Sequence, residues 1–134
     1  ASQSPLRLRH ARAYHLRLGE TGEKIACRLL KELNIDVLCR NFQRNNNEID
    51  IIARDGFTLC FVEVKTRRRN FRGRPADAVG TDKRSQIIRT AHRYLKEIGR
   101  PSLVYRFDIV EVVKPARLRL DELRYFPNAF TENR

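Results

Sequence analysis

The sequence predicts a single α/β domain, a central mixed β-sheet flanked by helices, with elements in the order α-β-β-β-α-β. Three observations lead there. Two apolar, β-branched runs, residues 47–54 and 58–65, flank Asp55-Gly56, a dipeptide suited to a tight hairpin turn. Two other stretches carry apolar residues at helical spacing. A last apolar run, residues 103–113, follows the second helix, so it is reached by a helical crossover and mixes the pairing of the sheet. At 134 residues the chain suits one core rather than two.

Residues 1–17 are Arg-rich and free of acid, lack a signal peptide's apolar core, and read as a basic arm. The domain proper spans 18–130, and 131–134 form a short tail. From about Leu16 to Leu33 the pattern is helical, with Ala26, Leu29, Leu30 and Leu33 as its stripe. Gly19 and Gly22 open this helix and permit close backbone approach to a sheet or ligand. Glu23 lies at the edge of the stripe. It either points towards the sheet or complements the helix dipole, and spacing alone leaves the two even. Glu20, off the stripe, is expected in solvent. Asn34 and Asp36 break the helix, residues 37–42 read as a strand, and 44–47 as a turn ahead of the hairpin. The second helix is expected to begin at a Thr81 or Asp82 cap and reach about Ile98, with Ile87, Ala91, Leu95 and Ile98 as its core stripe. Beyond Pro115, Leu118, Leu120, Leu123, Tyr125 and Phe126 suggest a tail packed on the body.

The charge is unusual. Lys and Arg number 28 against 16 Asp and Glu, a net +12 that favours a polyanionic partner, nucleic acid first and an anionic membrane surface second. No apolar run approaches the length of a membrane span, so a transmembrane protein is not expected. Cys27, Cys39 and Cys60 have neither CxxC spacing nor paired histidines, which argues against zinc and for small buried residues in a reducing cytoplasm.

The chemistry concentrates in the hairpin. Side chains alternate along a strand, so Glu48, Asp50 and Ile52 are expected on one face, with Ile49, Ile51 and Ala53 on the other. Phe61, Glu63 and Lys65 share a face opposite Val62 and Val64. Two acids and a lysine thus sit inside core-like strands, where unpaired charge is costly. The spacing Asp50-x12-Glu63-x-Lys65 suits a hard divalent cation held by two carboxylates, with a lysine placed to orient or deprotonate an attacking water or to stabilise a pentavalent phosphorane. A buried salt-bridge cluster is the structural alternative. Directly after Lys65, residues 66–80 carry five arginines around one aromatic. Arg67, Arg68, Arg69, Arg72 and Arg74 suit phosphate oxygens, and Phe71 could stack on a base or wedge into a distorted duplex. Lys83 and Gln86, at the start of the second helix, are candidate neighbours of the site. Glu48 and Asp108 are candidate supporting residues around it.

An acid on the first helix, an Asp on a strand and Glu-x-Lys on the next resemble the core of the restriction-endonuclease-like nucleases. Within that group the chain is similar to the YraN-like family, proteins named for their similarity to archaeal Holliday-junction resolvases. The resemblance rests on Gly19-x-x-Gly22-Glu23-x-x-Ala26, Asn41-Phe42, residues 48–56, residues 61–67 and Asn128-Ala129-Phe130, and runs from about Leu18 to Phe130. It implies that Asp50 and Glu63 are ligands of Mg2+ or Mn2+, Lys65 the catalytic lysine and Glu23 a third site carboxylate. It further implies hydrolysis of branched or structured DNA, and a homodimer, because a junction presents two symmetric strands. Asn47 stands where relatives usually carry Gly, and Asn tolerates the left-handed turn. A nucleic-acid-binding protein that keeps the fold and charge without chemistry is the second reading.

Overall fold

The computed structural model describes residues 10–15, 17, 19–68, 73, 79–100, 102–114 and 120–132. Its elements are β1 (His10–His15), α1 (Gly22–Glu32), β2 (Asp36–Arg44), β3 (Asn47–Asp55), β4 (Thr58–Arg68), α2 (Thr81–Glu97), β5 (Tyr105–Lys114) and β6 (Leu120–Phe130). The six strands form one sheet in the order β1-β6-β5-β4-β3-β2. β4 and β5 pair in parallel through the α2 crossover, and every other pairing is antiparallel. The helices cover opposite faces. Ile25, Leu29 and Leu30 of α1 pack on Ile51, Val62 and Val110, whereas Ile87, Ala91 and Leu95 of α2 pack on Ile52, Phe61 and Ile109.

The expected run α-β-β-β-α-β gains a strand at each end, one within the region read as an arm and one in the region read as a tail. Neither has a clean period of two. Among the described side chains of β1 only Tyr14 is buried; its hydroxyl donates to Glu32 Oε1 at 2.8 Å, and Arg12 pairs with the same oxygen. That strand exists because β6 offers it an antiparallel edge. β6 carries Pro127, which normally argues against an interior strand. A bulge accommodates it: between the Phe107↔Phe130 and Ile109↔Phe126 pairs, residues 127–129 face the single Asp108. Asn128 takes a left-handed φ of 55° there and donates its amide to Asp108 Oδ1 at 2.8 Å.

α1 begins at Gly22, later than the periodicity suggests. Gly19 is left-handed at φ 72°, and the Thr21 hydroxyl accepts from the Lys24 amide at 3.2 Å. A Cβ on Gly22 would sit 3.4 Å from Val112 Cγ2, so this glycine marks close packing of α1 on the sheet. Glu20 is not in solvent: Arg28 donates two 2.8 Å bonds to it and covers its side chain. α2 is entered from Gly80, without the side-chain cap expected from Thr81 or Asp82. No helix among the described residues is long and apolar enough to cross a membrane.

Candidate active site

The hairpin is regular only near its turn. The β3–β4 ladder runs from Asp55↔Thr58 to Ile51↔Val62. One step further would set Asp50 opposite Glu63, and there the ladder ends. The Val64 amide donates instead to Asp50 Oδ2 at 2.8 Å, so a side-chain carboxylate takes a donor that ladder pairing would give to a backbone carbonyl. On the other side of β3, the pairs Arg40↔Ile51 and Phe42↔Ile49 place Asn41 opposite Asp50. Asn41 is left-handed at φ 55°, a conformation Asn adopts more readily than most residues. The expected alternation of β3 breaks at this point. Ile51 and Ala53 face α1, but Ile49 joins Ile52 and Phe42 on the α2 side. Asp50 therefore sits where the ribbon turns over.

β4 keeps the expected alternation, with Val62 and Val64 towards α1 and Phe61 and Glu63 towards α2. Glu63 is only 4% exposed. Two lysines approach its Oε2: Lys65 Nζ at 3.5 Å and Lys83 Nζ, from the first turn of α2, at 3.8 Å. Its Oε1 is enclosed and accepts no hydrogen bond from a described residue. Burial, and next the charge of Asp50, push the Glu63 carboxyl up to about 7, against the pull of Lys83 and Lys65. A buried acid facing a second acid, with one oxygen unsatisfied, is a site short of positive charge.

The other candidates are distributed unevenly. Glu23 is not brought into the pair. It accepts from Arg40 Nε at 3.2 Å and Nη2 at 2.9 Å, on the α1 side. Among the described residues, no three His, Cys, Asp or Glu side chains group to hold a metal ion. Glu48 is half-buried beyond Asp50, opposite Gln43, and Gln86 lies one turn after Lys83 on α2. Asp108 belongs elsewhere. It is fully buried on the α1 side and accepts from Arg106 Nε at 3.0 Å and Tyr125 Oη at 2.5 Å besides the Asn128 amide. Arg67 is not in a solvated loop, because β4 continues to Arg68 along β5 and the Arg67 guanidinium pairs with buried Glu111. Arg68 is exposed at the end of that strand. Arg69, Phe71, Arg72 and Arg74 lie outside the described residues. Sequence reading quoted Asn41 only within a motif of the resemblance, without a place beside Asp50, and did not single out Arg40. A polar residue in mid-strand was the available signal for Asn41, whereas nothing local links Arg40 to Glu23.

Removing Arg67 should leave Glu111 charged and buried. Its carboxyl already stands above the usual range because burial outweighs the pull of Arg67 and Arg124. Arg67→Ala is expected to cost about 3 kcal/mol in urea unfolding. Arg67→Met combined with Glu111→Leu should recover much of it.

A mixed sheet with a helix on each face, carrying an acid pair and two lysines where its central hairpin splits, defines an α/β protein with a buried, charged cluster at the split. The model of the uncharacterised protein family UPF0102 matches residues 22–112, from α1 through β5 and so across Asp50, Glu63 and Lys65. The chain belongs to that family, the YraN family. It is 41% identical over 117 residues to a UPF0102 protein of Chlorobium phaeobacteroides strain BS1, covering 84% of this chain and 93% of the relative. A UPF0102 protein of Chlorobaculum tepidum is 44% identical over 105 residues, covering 78% and 79% of the two chains. One from Caldicellulosiruptor saccharolyticus is 37% identical over 113 residues, covering 84% and 96%.

Proposed function

We propose that this protein is a metal-dependent endonuclease with a restriction-endonuclease-like core, hydrolysing phosphodiester bonds in branched or structured DNA. One observation carries the reading: the Asp50–Glu63 pair at the split hairpin, with Glu63 Oε1 buried and without a hydrogen-bond partner among the described residues, beside two lysines. The residues fit a hard cation. Asp50 and Glu63 offer the anionic oxygens that Mg2+ or Mn2+ prefers, and such ions are commonly held by one or two carboxylates plus water and substrate phosphate. When bound, the ion supplies neutralisation of charge on the phosphate and acidification of water.

The chain's own groups do the rest. The Val64 amide fixes one oxygen of Asp50, which orients the carboxylate without consuming the other. Lys65, 3.5 Å from Glu63, would face a water held there, to orient it or take its proton; as an ammonium it would stabilise negative charge gathering on the phosphorus oxygens. Lys83 brings a second cation from another element to the same edge of Glu63, placed to meet a non-bridging phosphate oxygen. Arg68, at the exposed end of β4, and the arginines that follow it supply backbone contacts that set register without reading sequence. Two symmetric strands in a junction make a homodimer the expected assembly.

The test is cleavage of labelled four-way-junction, flap, single-stranded and linear duplex DNA with Mg2+ or Mn2+. Metal-dependent cutting ranks the substrates directly. Lys83→Ala is expected to slow cutting on the order of tenfold, about 1.4 kcal/mol of transition-state stabilisation, while leaving the fold intact. A non-catalytic DNA-binding protein is the second reading, favoured by the engagement of Glu23 with Arg40 instead of with the acid pair. Tight, salt-sensitive binding without cutting in any metal would select it.

A further inference from the structure

The exposed large apolar side chains among the described residues are Leu38 (47%), Phe57 (97%), Ile98 (42%) and Val104 (67%). They come from four separate segments yet gather at one end of the molecule. Leu38, Phe57 and Ile98 line a groove of about 500 Å3, floored by Leu59 and Leu103. Val104 adjoins it, its carbonyl accepting from the Leu59 amide at 2.9 Å. Each is held outward by the fold. The β2 register shift between Val37 and Cys39 contains Leu38, the β3–β4 turn carries Phe57 beside left-handed Gly56, and Ile98 caps α2. Soluble proteins rarely leave such residues contiguous and wet without a use for them.

The groove is remote from the acid pair. Lys83 and Ile98 stand at opposite ends of α2, about 22 Å apart along the helix. Its lining contains two cations, Arg54 and Arg100, and no acid. Arg54 holds Asp36 at 2.8 Å, whereas Arg100 forms no ion pair with a described residue. A second copy is a poor occupant, since it would bring arginines against arginines in a chain of net charge +12. Nucleic acid suits the arginines but not an apolar floor of Leu59 and Leu103, which fits inserted side chains.

We propose that this groove is a docking site for an acidic protein segment carrying large apolar side chains, seated with its apolar residues between Phe57 and Ile98 and its carboxylates at Arg100 and Arg54. Such a site would tether the protein to a partner while the acid pair, at the far end of α2, stays accessible.

A fluorescein-labelled ten-residue peptide of Asp and Glu with two Leu and one Phe is the probe, read by fluorescence polarisation on the full chain. Saturable micromolar binding is expected. Phe57→Ser and Arg100→Glu, both at exposed positions, should each weaken it at least about tenfold, without lowering the melting temperature or junction affinity. Peptides with Leu and Phe changed to Ser, or with the acids changed to Lys, should not bind. Equal binding of the all-acidic peptide, or no saturable binding of the probe, would overturn the proposal. So would a four-way-junction affinity that falls with Phe57→Ser, which assigns the groove to nucleic acid, or a concentration-dependent dimer abolished by Phe57→Ser, which assigns it to a second copy.

Discussion

Asp50→Asn is expected to abolish metal-dependent DNA cleavage, by about 10³-fold or more, while leaving the protein folded and able to bind DNA. The expectation follows from what the substitution keeps and removes. The Asn carbonyl oxygen can still accept the Val64 amide, so the bond that anchors Asp50 where the hairpin splits is retained. The anionic charge is lost, and with it half of the carboxylate pair proposed to hold a divalent cation. A 10³-fold loss corresponds to about 4 kcal/mol of transition-state stabilisation. The same variant should lose metal-linked stabilisation. Wild-type protein is expected to melt higher as Mg2+ or Mn2+ is added, by an increment growing with the logarithm of concentration, and Asp50→Asn should not. Cleavage at the wild-type rate by Asp50→Asn would refute the acid pair as the site. Unchanged DNA affinity with no cutting in either protein would leave the binding-module reading standing.

Glu63→Gln is expected to stabilise the metal-free protein at pH 8 while removing cleavage. Burial and Asp50 raise the Glu63 carboxyl from 4.5 to about 7, so the folded chain holds a proton there that the unfolded chain has released. Between those values the native state binds more protons, and stability falls as pH rises. The contribution is fully present below about 4.5 and lost once pH passes about 7, a difference of about 3 kcal/mol. Urea unfolding in EDTA at pH 5 and pH 8 should show this slope in wild type and a flatter one in Glu63→Gln. A divalent cation at pH 8 should restore stability to wild type only, because it replaces the missing proton as the neutralising charge. A core salt bridge anchored on Glu63 predicts the reverse sign, with Glu63→Gln destabilised at pH 8 and indifferent to metal. The two outcomes differ in direction as well as size.

What the sequence determined by itself was local. Asp55-Gly56 between two β-branched runs specified the hairpin, because turn chemistry and strand period act over neighbouring residues. The same period put Phe61, Glu63 and Lys65 on one face, as found. Helical spacing gave the apolar stripe of α1 and that of α2 as far as Leu95, whereas Ile98, expected in the core, is exposed because α2 ends at Glu97 and leaves it at the cap. Placing Asp50 and Glu63 on adjacent strands of one hairpin made their proximity legible before any coordinate.

Only the tertiary structure decided what depends on partners distant along the chain. β1 is a strand because β6 gives it an edge, and β6 because it lies between β1 and β5, not because either alternates cleanly. Asn41, opposite Asp50, turns the β2–β3 ribbon over, so the alternation expected along β3 breaks at Asp50. Glu23 meets Arg40 and Arg67 meets Glu111, and Asp108 serves a bulge on the far face of the sheet. In each case a buried or half-buried charge settles on the nearest complementary group the fold presents. A linear pattern records that a charge is there and what it costs to leave it alone, but only the three-dimensional packing chooses its partner.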